Sequence, residues 1–259
     1  MSTTSLESAL AAEFVGTALL LATVVGSGIM AESLAGGNVA LALLCNTLAT
    51  GGILVALINA LGGWSGAHFN PVVSVAMVLR GGLPKERLLP YLLVQTVGAF
   101  VGVAAAHLMF SKPILFASQH LRSSGAEVFS EAVATFGLLL TIFGAVRNAG
   151  PQVPFAVAGY IVAAYWFTAS TSFANPAVTL ARSMTDTFAG IAQPLCRASC
   201  SVRCWGRRPP SCWFEAGSGE TGDLTLSAER LWNVSELTQF ALTVLRCGAY
   251  AHLFALKRV

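Results

Sequence analysis

Two asparagines, each followed by proline, sit in matching settings: Asn70-Pro71 within Gly-Ala-His-Phe-Asn-Pro-Val-Val, and Asn175-Pro176 within Ser-Phe-Ala-Asn-Pro-Ala-Val. An asparagine amide carries two N–H donors and a carbonyl acceptor. Two of them facing each other could hold the oxygen of a small polar molecule without using a charge. Two acids also stand in matching apolar settings: Glu13 opens Glu-Phe-Val-Gly-Thr and Glu131 opens Glu-Ala-Val-Ala-Thr. An acid is costly inside lipid and needs a partner there. The oxygens of such a carboxyl group can accept from the backbone N–H groups of a non-helical loop, which satisfies the loop and offsets the acid's own desolvation. One acid and one Asn-Pro per half point to a duplicated membrane unit.

The elements that must position these groups follow from composition and pattern. The chain has 259 residues, of which 55% are hydrophobic and 10% charged. Soluble domains carry about 25% charged residues, so the balance belongs to a bilayer protein. The net charge of +3 is small and no basic face emerges, which argues against nucleic acid as a partner. Apolar segments at 9–30, 38–61, 88–110, 126–146 and 153–170 are each close to the ~20 residues that a helix needs to cross the hydrocarbon. The first of them carries Glu13 and reads as a retained helix rather than a cleaved signal. Two shorter pieces, 70–79 and 175–181, cannot span. Asn is a good N-cap and Pro fits the first helical turn, so both are predicted to be half-helices starting at the Asn-Pro. Breaks of this kind are tolerated at membrane depth only when they are buried in protein or line an aqueous cavity. Arg80, Lys85, Arg87 and Arg147 fall on one side of this arrangement and Lys112 and Arg122 on the other, which predicts a cytoplasmic N-terminus.

Two half-helices meeting at mid-membrane would aim their N-terminal N–H groups and partial positive charge at one point. A cation is repelled there, while a neutral solute can be passed between Asn70 and Asn175. A water held by both amides is poorly placed to relay protons. The expectation is a conduit for small uncharged molecules.

These motifs resemble the aquaporin, or major intrinsic protein, family over residues 9–192. They are Ala-Glu-Phe-Val-Gly-Thr at 12–17, Ser-Gly-Ala-His-Phe-Asn-Pro-Val at 65–72 and Phe-Ala-Asn-Pro-Ala at 173–177. The resemblance implies an all-α membrane protein built as an inverted repeat. Its fold would be six tilted helices and two half-helices, assembled as a homotetramer with one pore per subunit. It implies pore signatures at Asn70, Pro71 and Val72 and at Asn175, Pro176 and Ala177. Val72 stands where the family usually has Ala, which would crowd the first turn. Loop support falls to Glu13, Glu131 and His68. His68 is expected to pack and hydrogen-bond rather than gate. The family's filter usually has an Arg three residues after the second signature Asn; here that residue is Val178. The other filter positions, carried over by spacing, are Thr50, Ala163 and Ser172. All four are small, so the resemblance implies a wide filter that admits glycerol-like polyols and urea as well as water. Val178 also gives a likeness to bacterial members associated with arsenic resistance, hence arsenous acid as a further solute, and the inner membrane as location. Arg182 is expected at the end of the second half-helix near water, in preference to serving as a substitute filter cation.

Other readings compete. A secondary transporter also uses broken helices at the midplane, but would need an ion-coupling cluster beyond Glu13 and Glu131. An enzyme is not expected: the spans hold no nucleophile–base pair, metal ligand set or phosphate loop. No cofactor or metal is expected. Cys196, Cys200 and Cys204 recur every four residues, yet lack a well-placed fourth ligand for zinc. Gly98 and Gly102 read as a helix-packing pair. The duplication demands a sixth span after residue 192, mirroring 88–110. The chain instead carries Arg197, Arg203, Arg207 and Arg208 there. Each would cost about 2.5–3.5 kcal/mol near the bilayer centre. Residues 1–192 are therefore expected to form the channel domain. Residues 193–259 are expected to be a divergent tail with the sixth helix lost, consistent with a reading-frame shift near Ala192 and, in the extreme, a non-functional product.

Overall fold

A computed structural model describes residues 4–120, 124–148 and 150–192. The expected divergent tail, the expected loss of the sixth helix and the cysteines beyond 192 lie outside the described residues. Within them the chain is all-α, with no β-strand: α1 (Leu6–Leu34), α2 (Val39–Ser65), α3 (Pro71–Leu79), α4 (Lys85–Met109), α5 (Gly125–Asn148), α6 (Val153–Phe167) and α7 (Pro176–Arg182). A single 3-10 turn, Gly150–Gln152, leads into α6.

The helix starts follow local chemistry. Ser5 Oγ accepts from Ser8 N and opens α1; Asn38 Oδ1 accepts from Leu41 N and opens α2. Asn70 and Asn175 cap α3 and α7, each with proline in the first turn. Helix α2 closes on Gly66, whose φ of 86° suits a residue without a Cβ.

Helices α1, α2, α4 and α5 are long and apolar enough to cross a membrane. Helix α6 has 15 residues, or about 22 Å of rise, and is shorter than the expected 153–170 segment. Its chain leaves the helix at Thr168 to enter the loop before α7. Outward faces carry Val15, Leu19, Leu48, Leu93, Val97, Val101, Phe129, Phe155 and Trp166 in exposed positions. Such a surface suits lipid rather than water. The chain is an integral membrane protein.

Helix α4 lies against α1, α3 and α7, and α2 bridges α1 and α6. The approach of α4 to α1 is close enough that a Cβ on Gly98 would meet Phe14 O, and one on Gly102 would collide with Ala18 O. That is the packing role expected for this pair. The central core joins both halves: Leu20, Val24, Val25, Ala99 and Val103 pack with Leu138, Val157, Ile161 and Ala177.

Candidate functional site

The two Asn-Pro loops meet inside the bundle and exchange hydrogen bonds. Asn70 Nδ2 donates to Ala174 O at 2.7 Å, and Asn175 Nδ2 donates to Phe69 O at 2.8 Å. Each side chain therefore bonds the carbonyl of the residue that precedes the other asparagine. The carbonyl ends cap their own helices. Asn70 Oδ1 accepts from Val72 N at 2.9 Å, and Asn175 Oδ1 accepts from Ala177 N at 3.1 Å and Val178 N at 3.3 Å. Each amide has a second N–H beyond the cross-loop bond. Asn70 and Asn175 both border one central cavity of about 150 Å³.

The loops repeat one another down to backbone conformation. Gly66, Ala67 and Phe69 have φ of 86°, 50° and 48°; Thr171, Ser172 and Ala174, at the same distances from the second asparagine, have φ of 62°, 49° and 44°. Left-handed backbone in five non-glycine residues has to be held by its surroundings. Two acids do the holding. Glu13 Oε1 accepts from His68 N at 2.9 Å and Oε2 from Phe69 N at 2.7 Å. Glu131 Oε1 accepts from Phe173 N at 2.9 Å and Oε2 from Ala174 N at 2.7 Å. These are equivalent positions in the two loops.

The first loop has further support that sequence reasoning missed. Glu13 also accepts from Ser65 Oγ at 2.6 Å and Gln95 Nε2 at 2.8 Å. Gln95 reaches Ser74 Oγ at 2.9 Å, and Ser74 Oγ lies 3.1 Å from His68 Nδ1. Tyr91 OH donates to Ser65 O, and its ring lies 5.5 Å from the His68 ring. His68 thus borders the cavity while fixed from behind. A glutamine isolated in the apolar α4 was the one available signal for this network.

The cavity is also lined by Thr50, Ser172 and Val178. Ala163 is not brought to them. It lies on the exposed side of α6, whereas Ile161 and Tyr165 of the same helix line the cavity. Two residues along a helix turn the side chain by about 200°, so transfer by spacing put the expected position on the wrong face. Tyr165 is the residue that spacing missed; its OH lies 3.4 Å from Thr50 Oγ1. Val72, expected to crowd its turn, keeps the cap bond and packs beside Val73, Ala76 and Leu139.

Arg182 corrects a second expectation. It is only 3% exposed and lines the cavity. It is not at a watery helix end, because residues 183–192 fold back across it. Arg182 Nε donates to Ala189 O, Ile191 N donates to Arg182 O, and the guanidinium carbon lies 4.8 Å from the Phe173 ring centroid. This strap is tied to the loop before α5: Ser118 N donates to Ser183 O and Ala192 N to His120 O. His107 locks it further, accepting from Leu115 N through Nδ1 and so donating from Nε2 to Thr185 Oγ1. No cluster of three metal-ligating side chains occurs among the described residues.

The family described as Major intrinsic protein matches residues 1–152. Aquaglyceroporin AqpS of Rhizobium meliloti (strain 1021) is 55% identical over 180 residues, covering 70% of this chain and 77% of its own. Aquaporin Z of Brucella melitensis is 30% identical over 154 residues, covering 55% of this chain and 67% of its own. Among solved structures, the aquaglyceroporin from Plasmodium falciparum is similar with a TM-score of 0.51 and 23% identity, covering 70% of this chain and 78% of its own. That last likeness concerns the fold.

Proposed function

The chain belongs to the major intrinsic protein family, and from that premise we propose that it is a passive channel, not an enzyme, for water and small uncharged solutes. The observation that carries the reading is the reciprocal pair of amide bonds, Asn70 to Ala174 O and Asn175 to Phe69 O, beside a cavity shared by both loops. Two N-terminal helix ends and two neutral amides favour a polar solute and disfavour a cation. Glycerol-like polyols, urea and arsenous acid are the solutes that fit. Support for glycerol comes from the aquaglyceroporin relative. Support for width at the level of Val178 comes from Thr50, Ser172 and Val178, small side chains that share the cavity wall with Tyr165. We take the channel to work as a homotetramer in a bacterial inner membrane, with its N-terminus in the cytoplasm.

Stopped-flow light scattering on proteoliposomes tests this. Gradients of water, glycerol, urea and arsenous acid should each relax faster than in protein-free vesicles, in proportion to the gradient and without an ion gradient. Flux that saturates and requires an ion gradient would replace the channel with a secondary transporter. Val178→Arg should slow glycerol more than water. Unchanged glycerol flux in that variant removes Val178 from the constriction.

A further inference from the structure

We propose that Arg182 is the selectivity cation of this conduit, set one helical turn beyond Val178. The inference rests on the channel reading above and deepens it.

Positions 178 and 182 are four apart on α7 and so share a face. Both line the cavity. A charged side chain buried in a membrane protein marks a solute path more often than a structural accident. Arg182 is also held at fixed geometry. Its Nε bonds Ala189 O, and its plane is gathered against Phe173. Phe173 follows Ser172, whose Oγ is buried at the cavity and finds no hydrogen-bond partner among the described residues. A guanidinium has five donors in a rigid plane and does not lose its charge. Lining the same cavity as Ser172, it brings a planar set of donors to the wall that a neutral hydroxylated solute would touch. The same charge raises the barrier to hydronium and metal cations. The filter therefore retains a cation while Val178 leaves the earlier level wide. The strap 183–192 is part of the filter, since Ala189 O fixes the guanidinium.

Proteoliposomes holding the full chain, a trapped pH dye and a glycerol gradient test this with Arg182→Gln, Arg182→Lys and Val178→Arg/Arg182→Gln. In Arg182→Gln, glycerol should still pass while proton entry rises above the wild-type rate. Arg182→Lys should keep proton entry at the wild-type level but change the ratio of glycerol to urea flux, because a point charge replaces a planar fork. The double variant should restore the proton barrier and slow glycerol. Proton entry unchanged in a conducting Arg182→Gln protein overturns the assignment. If that variant does not reconstitute, Arg182→Lys decides alone. A shifted solute ratio with an intact proton barrier upholds the assignment, and an unaltered ratio overturns it. Wild-type protein that passes no neutral solute would instead sink the channel reading itself, which separates the two failures.

Discussion

The loop of residues 65–70 and the loop of 170–175 have the same job, the same backbone turns and the same carboxyl clamp, but not the same depth of support. Glu13 is fully buried and takes two backbone N–H groups, the Ser65 hydroxyl and the Gln95 amide. Glu131 is half-buried and takes the equivalent two backbone N–H groups. Among the described residues, the added support of the first loop comes from the helix that follows its half-helix. In the first half that helix is α4, which places Gln95 and Tyr91 behind the loop. In each loop a serine shares the work with the acid, Ser65 Oγ accepting from Ala67 N and Ser170 Oγ from Ser172 N, and α4 adds a further layer behind the first loop.

The largest contrast should appear when each acid is removed. Glu13→Ala strands four donors at a dry site, each worth about 1–3 kcal/mol when left unsatisfied. That loss is comparable with the whole stability of a typical domain, roughly 5–15 kcal/mol. This variant should yield no monodisperse protein in detergent. Glu131→Ala strands the Phe173 and Ala174 N–H groups at a less buried site and should give a folded protein with a lower Tm. Equal losses would break the comparison.

The asparagines should show no such contrast. Each provides one helix cap and one cross-loop bond. Asn70→Ala and Asn175→Ala should each cost about 2 kcal/mol, the sum of a typical cap and a typical net hydrogen bond. Thermal unfolding in detergent measures both. A difference larger than the cost of either variant would mean that the two caps are not equivalent.

The smallest effect sharpens the comparison from the other side. Gly66 occupies the first left-handed position of one loop, and its counterpart Thr171 has φ of 62°. A β-branched residue there is strained by about 1–2 kcal/mol. Thr171→Gly should raise Tm by a few degrees, and Gly66→Thr should lower it by more, because its Cβ would also crowd His68 Nε2 at 3.0 Å.

Much of this architecture is legible in the sequence because lipid leaves few options. The 9–30 segment became α1, and the two Asn-Pro pairs became N-caps at the expected residues. The two acids meet the expected loops because the left-handed turns there leave paired backbone N–H groups that need an acceptor. Less legible was which way a helix faces. Helix α6 is apolar all round, so periodicity gave no sign that Tyr165, and not Ala163, turns inward. Arg182 failed for a different reason. Its burial depends on residues 183–192 crossing over it, a tertiary event with no local mark beyond the charge itself. Gln95 was visible as an oddity in α4, but its partner Glu13 lies 82 residues away in the chain.

A conduit of the proposed kind requires solute to pass through the cavity between the two asparagine loops. Ser172 borders that cavity with its hydroxyl uncommitted among the described residues, which makes it the place to plug the path. Osmotic water flux through Ser172→Cys proteoliposomes, read before and after a thiol-specific methanethiosulfonate reagent, is the most direct measurement. Modification should close the variant while the unmutated protein, treated alike, keeps its flux. Full labelling at position 172 with undiminished flux would contradict the proposed conduit.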